Sequence, residues 1–461
     1  MIYQTEDTIA AISTPIGEGA ISVIRVSGHL AISGISKRFR GKKELAEAKT
    51  HTAHFGHLVN DMGNIVDDVV CTIYKAPQSY TGEDVVEISC HGGTFITKKV
   101  YECIIGKDVR PAKPGEFSLR AFINGKLDLT QAEAVADLIQ SKSEKGRQIS
   151  LRQLNGELSK KIYSLRSQLV QLIALLELEL DFAEDDIELI DKKEIYVQIK
   201  YVIDEIENLL QTYQLGKVCK EGVRITLVGP PNVGKSSLMN AILREERAIV
   251  TEIPGTTRDF IEEQYTHDGV LYILIDTAGL RSTNDTVEIE GIKRTWMLIE
   301  QSDVVVFVHD KTMEVEERER KILEEIKQRI NKGGNLIIVN NKADLISTNN
   351  EITEIEEAVS TSAKSMYGIE SLVKKISHTV FKHETAETME SLTITNVRHF
   401  MALTVAKERL IAARESVKNG KSEEFIALDL RSALDSIGEI VGLVTTEDIL
   451  NEVFSKFCIG K

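Results

Sequence analysis

The stretch GPPNVGKSS, residues 229–237, decides the fold of the middle of this chain. It fits the pattern G-x-x-x-x-G-K-[ST], and it lies between an apolar run and a segment compatible with a helix. In this pattern the glycines let backbone N–H groups surround a phosphate, the lysine reaches the terminal phosphate oxygens, and the hydroxyl suits Mg²⁺. We therefore predict a phosphate-binding loop in which Lys235 contacts the phosphates and Ser236 contacts Mg²⁺.

Three further motifs specify the nucleotide. DTAG (276–279) and NKAD (341–344) each end an apolar run, and SAK (362–364) follows them. Asp276 can hold the Mg²⁺ shell through a water molecule. The carboxylate of Asp344 can accept two hydrogen bonds from the N1 and 2-amino groups of guanine, and adenine offers no such pair. The predicted nucleotide is therefore GTP, with the SAK loop closing over the base.

The motifs leave open which residue positions the attacking water. Ras-type enzymes place a glutamine directly after the DTAG-like motif, where this chain has Leu280. Leucine can neither donate nor accept a hydrogen bond, so another residue must hold the water. The nearby polar candidates are Arg281, Asp285, Glu288 and Glu290.

The loop TEIPGTTRDF, residues 251–260, has two interpretations. Thr257 is placed to be the switch threonine on Mg²⁺, and the loop offers carbonyl and hydroxyl oxygens next to Asn232. An all-oxygen cage of this kind suits a hard cation. An ordinary mobile switch loop fits the same residues, and the sequence alone does not decide between the two.

Composition excludes several protein classes. The chain has 461 residues, 42% hydrophobic and 28% charged, which is typical of a soluble globular protein of two to four domains. It contains no apolar run of membrane-spanning length, and its start lacks the basic segment of a secretory signal. Five scattered cysteines without CxxC favour a reducing cytoplasm and argue against zinc. A net charge of −15 indicates that a partner holds much of any bound nucleic acid.

The hydrophobic pattern changes three times along the chain. Residues 1–118 contain short β-rich runs, and residues 119–221 contain apolar positions at helical spacing without proline. Residues 222–382 alternate apolar strands with helices, and residues 383–461 return to helix. We predict an α+β amino-terminal domain and a helical domain interrupted by an inserted α/β domain with a mostly parallel sheet and flanking helices.

The chain ends in CIGK, residues 458–461. These residues do not match a prenylation signal. Gly460 stands where an aliphatic residue is required, and Lys461 is not one of the accepted terminal residues. The residues alone leave a reactive thiol at Cys458 and a frayed tail as alternatives.

Several motifs together resemble the tRNA-modification GTPases of the MnmE (TrmE) family, within the TrmE-Era-EngA-YihA-Septin-like superfamily. The similarity runs from Arg25 to Lys461 with the domain order intact, and no signature position departs from the family pattern. The motifs are the P-loop with Asn232, PGTTRD (254–259), DTAGLR (276–281), YTGEDVVEISCHGG (80–93), PGEFSLRAFINGKLDLTQAEAVADLI (114–139) and the terminal CIGK.

The resemblance implies a division of labour among the domains. Residues 1–118 would bind tetrahydrofolate and form the homodimer, and residues 119–221 and 383–461 would form the helical domain. Residues 222–382 would be an inserted TrmE-type G domain whose copies associate across the nucleotide when K⁺ is present. That association would activate GTP hydrolysis.

The resemblance and the motifs together also assign site residues. The K⁺ ligands would be Asn232, Thr251, Ile253 and Thr256, and the Mg²⁺ site would use Ser236, Thr257 and, through water, Asp276. Glu288 would position the attacking water through a second water, and Lys235 and Arg281 would assist catalysis. GTP would contact Asn232, Val233, Gly234, Lys235, Ser236, Ser237, Thr251, Glu252, Ile253, Pro254, Gly255, Thr256, Thr257, Asp276, Thr277, Ala278, Gly279, Asn341, Lys342, Asp344, Ser362, Ala363 and Lys364.

On the folate side, the family pattern maps onto Arg25, Glu87, Lys126 and Lys461. A carboxylate can accept paired hydrogen bonds from the pterin edge, and basic groups suit the anionic glutamate tail of folate. Cys458 becomes a candidate general acid or thiolate nucleophile in the modification chemistry.

The function implied is modification of C5 of the wobble uridine, position 34, of certain tRNAs to aminomethyl- or carboxymethylaminomethyl-uridine. The carbon would come from 5-formyl- or 5,10-methylene-tetrahydrofolate. The flavoprotein MnmG, with FAD and NADH, would join in a heterotetramer or larger complex that holds the tRNA. A cytoplasmic location without a membrane anchor is expected. Two alternatives are a ribosome-assembly GTPase and a folate-sensing GTPase, neither with tRNA-modifying chemistry.

Overall fold

The structure is a computed structural model that describes residues 7–181, 191–245, 261–277, 285–330, 334–346, 357–381 and 392–460. The chain forms two compact units. One contains Met1–Gln140, Ser150–Asn208 and Val397–Lys461, and the other contains Ser141–Ile149 and Leu209–Asn396. Each unit is therefore assembled from segments that are distant in sequence.

A seven-stranded sheet organises the amino-terminal part of the first unit. Its strands lie in the order β3-β4-β5-β6-β2-β1-β7, and neighbours are antiparallel except for the parallel pair β1 and β7. The strands are β1 (Thr8–Ile12), β2 (Ile21–Ser27), β3 (Phe39–Gly41), β4 (Thr52–Val59), β5 (Ile65–Tyr74), β6 (Val85–His91) and β7 (Val109–Pro111).

Two helices cover one face of this sheet. They are α1 (Ala31–Arg38) and α2 (Thr94–Ile104). Alternate residues of β2 and β6, such as Ile24 and Ile88, are fully buried against Ile35 and Val100 of these helices. The residues between them, including Arg25 and Glu87, point to the opposite and less buried face, because side chains alternate along a strand.

Five helices follow the first sheet. They are α3 (Glu116–Ile123), α4 (Leu129–Gln140), α5 (Glu144–Leu154), α6 (Glu157–Asp181) and α7 (Lys192–Gln211). Apolar residues on α6, such as Leu158, Ile162, Leu165 and Leu169, recur every three or four positions and are buried, as an amphipathic helix requires.

A six-stranded sheet forms the centre of the second unit, in the order β13-β12-β11-β8-β10-β9. Neighbouring strands are parallel except β9 and β10. Every residue of β11 is buried, as expected for a central strand of a covered parallel sheet. In chain order the elements are α8 (Tyr213–Glu221), β8 (Val223–Val228), α9 (Lys235–Glu245), β9 (Ile261–His267), β10 (Val270–Asp276), α10 (Asp285–Gln301), β11 (Val304–Asp310), α11 (Glu317–Arg329), β12 (Asn335–Asn341), β13 (Val359–Ser360) and α12 (Ile369–Val380).

Three helices then return to the first unit: α13 (Val397–Lys418), α14 (Glu423–Val441) and α15 (Glu447–Ser455). A buried charged cluster joins α13 to α4. Glu133 accepts hydrogen bonds from Arg398, at 2.9 Å, and lies 2.7 Å from His399 Nε2. Arg398 also donates to the carbonyl oxygens of Glu439 and Ile440 on α14. The cluster therefore fastens helices from the two separate helical segments together.

The predicted fold class is confirmed. The amino-terminal region is α+β, the helical part is built from two chain segments, and a mostly parallel α/β fold lies between them. The first compact unit combines residues of the predicted domains 1–118, 119–221 and 383–461, so the boundaries between those domains remain a prediction. Among the described residues, no helix is both long and apolar enough to cross a membrane.

Candidate functional site

The loop between β8 and α9 is shaped by two glycines. Gly229 has φ +150° and Gly234 has φ +94°. A Cβ atom on Gly229 would lie 2.2 Å from the carbonyl oxygen of Val308, and one on Gly234 would lie 2.6 Å from Nδ2 of Asn341. Neither position accommodates a side chain, so the loop backbone can lie directly against the ends of β11 and β12.

Lys235 is the first residue of α9 and is buried. Its Nζ donates to the carbonyl oxygens of Gly229 and Pro230, both at 2.8 Å. The ammonium therefore closes the loop at the amino end of a helix, where the helix dipole is positive. This arrangement favours a bound phosphate.

Two residues predicted for the Mg²⁺ site lie next to each other: Ser236, which would contact the ion, and Asp276, which would hold it through water. The Ser236 hydroxyl donates to Asp276 Oδ2 at 2.6 Å, and Asp276 is completely buried at the end of β10. Hydroxyl and carboxylate oxygens are the donors that Mg²⁺ prefers in proteins. The two residues therefore fit the ion.

Asn341 connects the P-loop to the SAK loop. Its Nδ2 donates to the carbonyl oxygen of Val233 at 2.9 Å. Its Oδ1 accepts from the N–H of Ala363 at 3.2 Å and from the hydroxyl of Thr361 at 3.3 Å. One buried amide thus sets the spacing between the phosphate-binding and base-binding loops.

Asp344 lies at the open side of this arrangement. Its side chain accepts a hydrogen bond from the buried Ser362 hydroxyl at 2.6 Å, and the residue itself is exposed. Lys342 is held by Asp310, with Nζ 2.6 Å from Oδ2. Burial would raise the pKa of Asp310, but hydrogen bonds from Lys342 and Thr312 hold it below its usual value. Asp344 is therefore oriented by one hydroxyl and remains accessible to a base.

The structure describes some of the other predicted nucleotide residues. Asn232 and Lys364 are exposed, and Asn232 has φ +65°. Thr277 donates to the carbonyl oxygen of Leu227 at 2.8 Å. Glu288 lies on α10, where the structure describes the backbone only. The residues outside the described ranges are Thr251, Glu252, Ile253, Pro254, Gly255, Thr256, Thr257, Ala278, Gly279 and Arg281.

The predicted folate residues Arg25 and Glu87 lie opposite each other on β2 and β6. Nε and NH2 of Arg25 donate to Glu87 Oε1 at 3.0 and 2.8 Å. The Glu87 side chain is 26% exposed, so a ligand can reach it. The Tyr74 hydroxyl donates to Glu87 Oε2 at 3.4 Å, and burial together with Glu87 raises the pKa of Tyr74. The phenol therefore stays protonated and remains a donor.

Two aromatic rings flank Arg25. Its guanidinium carbon lies 5.4 Å from the centre of the Tyr80 ring and 5.7 Å from that of Phe117. Lys126 donates from Nζ to the carbonyl oxygen of Pro77 at 3.2 Å. The pair therefore combines a carboxylate and a guanidinium with the half-buried Tyr80 ring, and Phe117 supports Arg25 from within the core.

The terminal motif is docked beside this pair. NH1 of Arg25 donates to the carbonyl oxygen of Gly460 at 3.3 Å, and the Ser13 hydroxyl donates to the same oxygen at 3.4 Å. Gly460 is buried with φ +102°, and a Cβ atom there would lie 2.8 Å from the carbonyl oxygen of Ile12. The frayed-tail alternative is therefore wrong for Gly460. Cys458 is exposed, and Lys461 lies outside the described residues.

Sequence reasoning missed several contributors to both sites. Tyr74, Tyr80 and Phe117 around Arg25 were not predicted as contributors. Tyr80 and Phe117 lie within two of the family motifs, but a single aromatic residue in a strand, loop or helix carries no local signal for ligand binding. The bridging role of Asn341 also went unnoticed. The Asn of NKAD and its position at the end of a strand would have allowed that inference.

Comparisons with known proteins agree along the whole chain. The MnmE helical domain model matches residues 129–458, and the model described as GTP-binding protein TrmE N-terminus matches residues 8–126. The tRNA modification GTPase MnmE of Aquifex aeolicus is 46% identical over 458 residues, covering 99% of this chain and 100% of the relative. That of Carboxydothermus hydrogenoformans is 42% identical over 465 residues, covering 99% and 100%.

Among solved structures, Era of Aquifex aeolicus bound to GDP and AlF4⁻ is 24% identical. The match covers 41% of this chain and 66% of that chain, with a TM-score of 0.29. The full-length relatives are both tRNA modification GTPases, so they favour tRNA modification over the ribosome-assembly and folate-sensing alternatives. The chain therefore belongs to the MnmE family of tRNA modification GTPases, and it is a GTP hydrolase that acts in tRNA modification.

Proposed function

We propose that this GTPase is stimulated by K⁺ and modifies C5 of uridine 34 in certain tRNAs to aminomethyl- or carboxymethylaminomethyl-uridine. The carbon comes from a tetrahydrofolate derivative, either 5-formyl or 5,10-methylene. The protein acts in the cytoplasm as a homodimer with the flavoprotein MnmG, which brings FAD and NADH. In this heterotetramer or larger complex, MnmG holds much of the tRNA.

The folate proposal rests on the Arg25–Glu87 pair, which lies beside the docked Gly460. A pterin ring is flat and presents a guanidine-like edge of donors, which a carboxylate accepts in paired fashion. Glu87 offers that carboxylate, and the half-buried Tyr80 ring beside Arg25 is a flat surface close to it. Phe117 is fully buried and supports Arg25 from within the core. Lys126 and Lys461 are assigned to the anionic glutamate tail of the folate.

The nucleotide site supports the hydrolytic half of the proposal. Lys235 closes the phosphate-binding loop, and Ser236, Asp276 and Thr257 are assigned to Mg²⁺. Asn232, with Thr251, Ile253 and Thr256, is assigned to K⁺, which would supply positive charge beside the transferred phosphoryl group. Glu288 is assigned to orient the attacking water, and Arg281 is assigned to assist it.

Titration with 5-formyltetrahydrofolate tests the folate site. Glu87→Gln keeps the shape of the side chain but removes its charge, so the affinity should fall about 10- to 100-fold. The matched control is Glu102→Gln, an exposed position on α2 in the same unit that pairs with Lys99 at 3.0 Å. Equal affinity for 5-formyltetrahydrofolate in the two variants would show that Glu87 is not part of the site.

Exchange of the monovalent cation tests the K⁺ site. GTP hydrolysis measured in KCl should fall sharply when NaCl replaces it at equal ionic strength, because the smaller ion does not match an oxygen cage built for K⁺. A rate that is the same in both salts would contradict the proposal.

Substitution of the exposed thiol tests its part in the chemistry. Cys458→Ser should leave GTP hydrolysis unchanged and impair tRNA modification, as read by mass analysis of tRNA nucleosides. Modification at the wild-type level would show that Cys458 takes no part in the reaction.

A further inference from the structure

A basic cluster at one edge of the first sheet belongs to neither site. In KRFRGKK, residues 37–43, five of seven residues are Lys or Arg and none is acidic, although the whole chain carries −15. The run covers the last turn of α1, all of β3 and the residues after it. Basic residues at a helix end also complement the helix dipole, but that effect acts only within the last turn. It does not account for the charges beyond β3.

The two arginines of the run are held differently. Arg38 forms an ion pair with Asp61, with NH2 and Oδ1 2.8 Å apart. Arg40 NH1 donates to the backbone carbonyl oxygens of Lys37 and Phe39, at 2.9 and 3.0 Å. The guanidinium of Arg40 is therefore fixed in place by neutral acceptors, and its charge is not cancelled by them.

The three lysines of the run point to solvent. Lys37, Lys42 and Lys43 are exposed and form no ion pair within the described ranges of the chain. Holding several like charges close together at a surface costs free energy unless an anion neutralises them. The cluster is therefore suited to bind an extended anion.

These side chains line a groove of about 1000 Å³ between the end of α1, β3 and β4. Lys37, Arg40, Lys42 and Lys43 line it, and Glu44 is the acidic residue among its lining. Gly41 and Gly56 face each other across β3 and β4, and a Cβ atom on Gly56 would lie 2.4 Å from the carbonyl oxygen of Arg40. The Phe39 ring packs against both glycines, because a Cβ atom on either one would lie 2.5 Å from it. The wall between the strands is therefore formed by backbone and the Phe39 ring.

An aromatic side chain completes the groove. Phe55 lines it and is 65% exposed, with its ring 6.3 Å from that of His57 in an edge-on arrangement. An exposed aromatic ring beside clustered basic groups is the combination that binds unpaired nucleotides, because bases stack on the ring while phosphates contact the cations.

One side of the groove, formed by Phe55, lies on the same face of the sheet as Glu87, whereas the side formed by α1 lies on the opposite face, so the groove crosses the edge strand β3. Glu87 pairs with Thr72 on β5, and Thr72 pairs with Ala53 on β4. Phe55 follows Ala53 by two residues, so its side chain points to the same face. Two strand spacings, about 10 Å, separate β4 from β6. An RNA strand seated in the groove can therefore extend towards the one-carbon site, a point that rests on the proposed folate function.

We propose that this groove binds the phosphate backbone of tRNA, with Phe55 stacking on an unpaired base. The contacts to phosphate give affinity and orientation without reading the sequence. The groove thus gives an acidic protein a local site for its RNA substrate, in addition to the surface that MnmG provides.

The test uses the full chain and fluorescently labelled tRNA, with affinity measured by anisotropy at several KCl concentrations. Lys42→Gln/Lys43→Gln should weaken binding about tenfold and reduce the slope of log affinity against log salt by about 2. The matched control is Lys98→Gln/Lys99→Gln, which makes the same charge change at exposed positions of α2 in the same unit. Its affinity and slope should equal those of the wild type.

Phe55→Ala separates stacking from charge. It should weaken tRNA binding about fivefold or more and leave the salt slope unchanged, because no phosphate contact is lost. Thermal melting of each variant checks that it is folded.

The proposal would be overturned if the wild type did not bind tRNA at low salt, or if the groove and control variants showed equal affinity and equal salt slope. It would also be overturned if a groove variant changed only dimerisation or MnmG affinity. That last result would assign the groove to a protein partner. The folate proposal is tested separately, by the affinity for 5-formyltetrahydrofolate. A negative result there would not change the tRNA measurements.

Discussion

The nucleotide site and the Arg25–Glu87 site are built in opposite ways. The described nucleotide residues occupy the ends of parallel strands and the loops that follow them, in four short motifs. Arg25 and Glu87, which are 62 positions apart in sequence, lie in the middle of two strands, and Gly460 joins them from the end of the chain. One site is a property of local segments, and the other is a property of the assembled sheet.

The physical reason lies in what each ligand needs. A phosphate is bound by consecutive backbone N–H groups, which only a contiguous loop of fixed conformation supplies. A flat heterocycle needs a few side chains at one place, and any strands that the fold brings together can supply them. Substitutions should therefore damage the two sites independently.

The largest expected effect is on the nucleotide site. Lys235→Ala removes the ammonium that contacts Gly229 and Pro230, and GTP hydrolysis should fall by a factor on the order of 10²–10³. Affinity for 5-formyltetrahydrofolate should stay at the wild-type value. Arg244→Ala, an exposed position on the same helix, is the control and should affect neither measurement. A loss of folate affinity in Lys235→Ala would show that the sites are not independent.

The next largest effect is expected on the stability of the fold, when the buried Glu133 is substituted. Glu133→Gln leaves the positive charge of Arg398 without its buried partner, which should reduce the free energy of unfolding by about 3–5 kcal/mol at neutral pH. Chemical denaturation monitored by circular dichroism measures the change. A difference below about 1 kcal/mol would contradict the role given to the cluster.

The same cluster predicts a pH dependence. Burial alone would raise the pKa of Glu133, but His399 and Arg398 lower it to about 2. The folded state therefore binds fewer protons than the unfolded state, and the stabilisation is complete above the ordinary pKa of 4.5. It is lost as the pH falls from there towards 2. The stability difference between wild type and Glu133→Gln should shrink over that range, and a constant difference would contradict the assignment.

Glu288 provides a test that separates GTP hydrolysis from GTP binding. Glu288→Ala should lower the rate of GTP hydrolysis by about 10²-fold and leave GTP affinity unchanged, because an orienting group acts only on the attacking water. Glu300→Ala, an exposed position further along α10, is the matched control. Near-normal turnover in Glu288→Ala would show that Arg281, Asp285 or Glu290 positions the attacking water instead.

The smallest effect is expected at the terminal segment. Gly460→Ala forces a side chain into a left-handed backbone position against Ile12, so the tail should dock less firmly and folate affinity should fall severalfold. Gly106→Ala, where an added Cβ atom meets nothing within 4 Å, is the control. Equal folate affinity in the two variants would show that the tail is not part of the site.

The two sites also differ in how far their residues can be predicted from the sequence. Lys235, Asp276 and Asp344 follow from motifs because each motif sets its own local geometry. Arg25 and Glu87 follow only from the family resemblance, because no local rule states that β2 pairs with β6 in this register. The basic groove does not follow from net charge, because net charge averages over the chain and hides a cluster of five basic residues.

The most direct test of the central claim is mass analysis of tRNA nucleosides from a strain that lacks this gene and carries the Glu87→Gln protein. Uridine 34 should stay unmodified at C5 while the purified variant hydrolyses GTP at the wild-type rate. Normal modification by the Glu87→Gln protein would contradict the account of a separate one-carbon site on the first sheet.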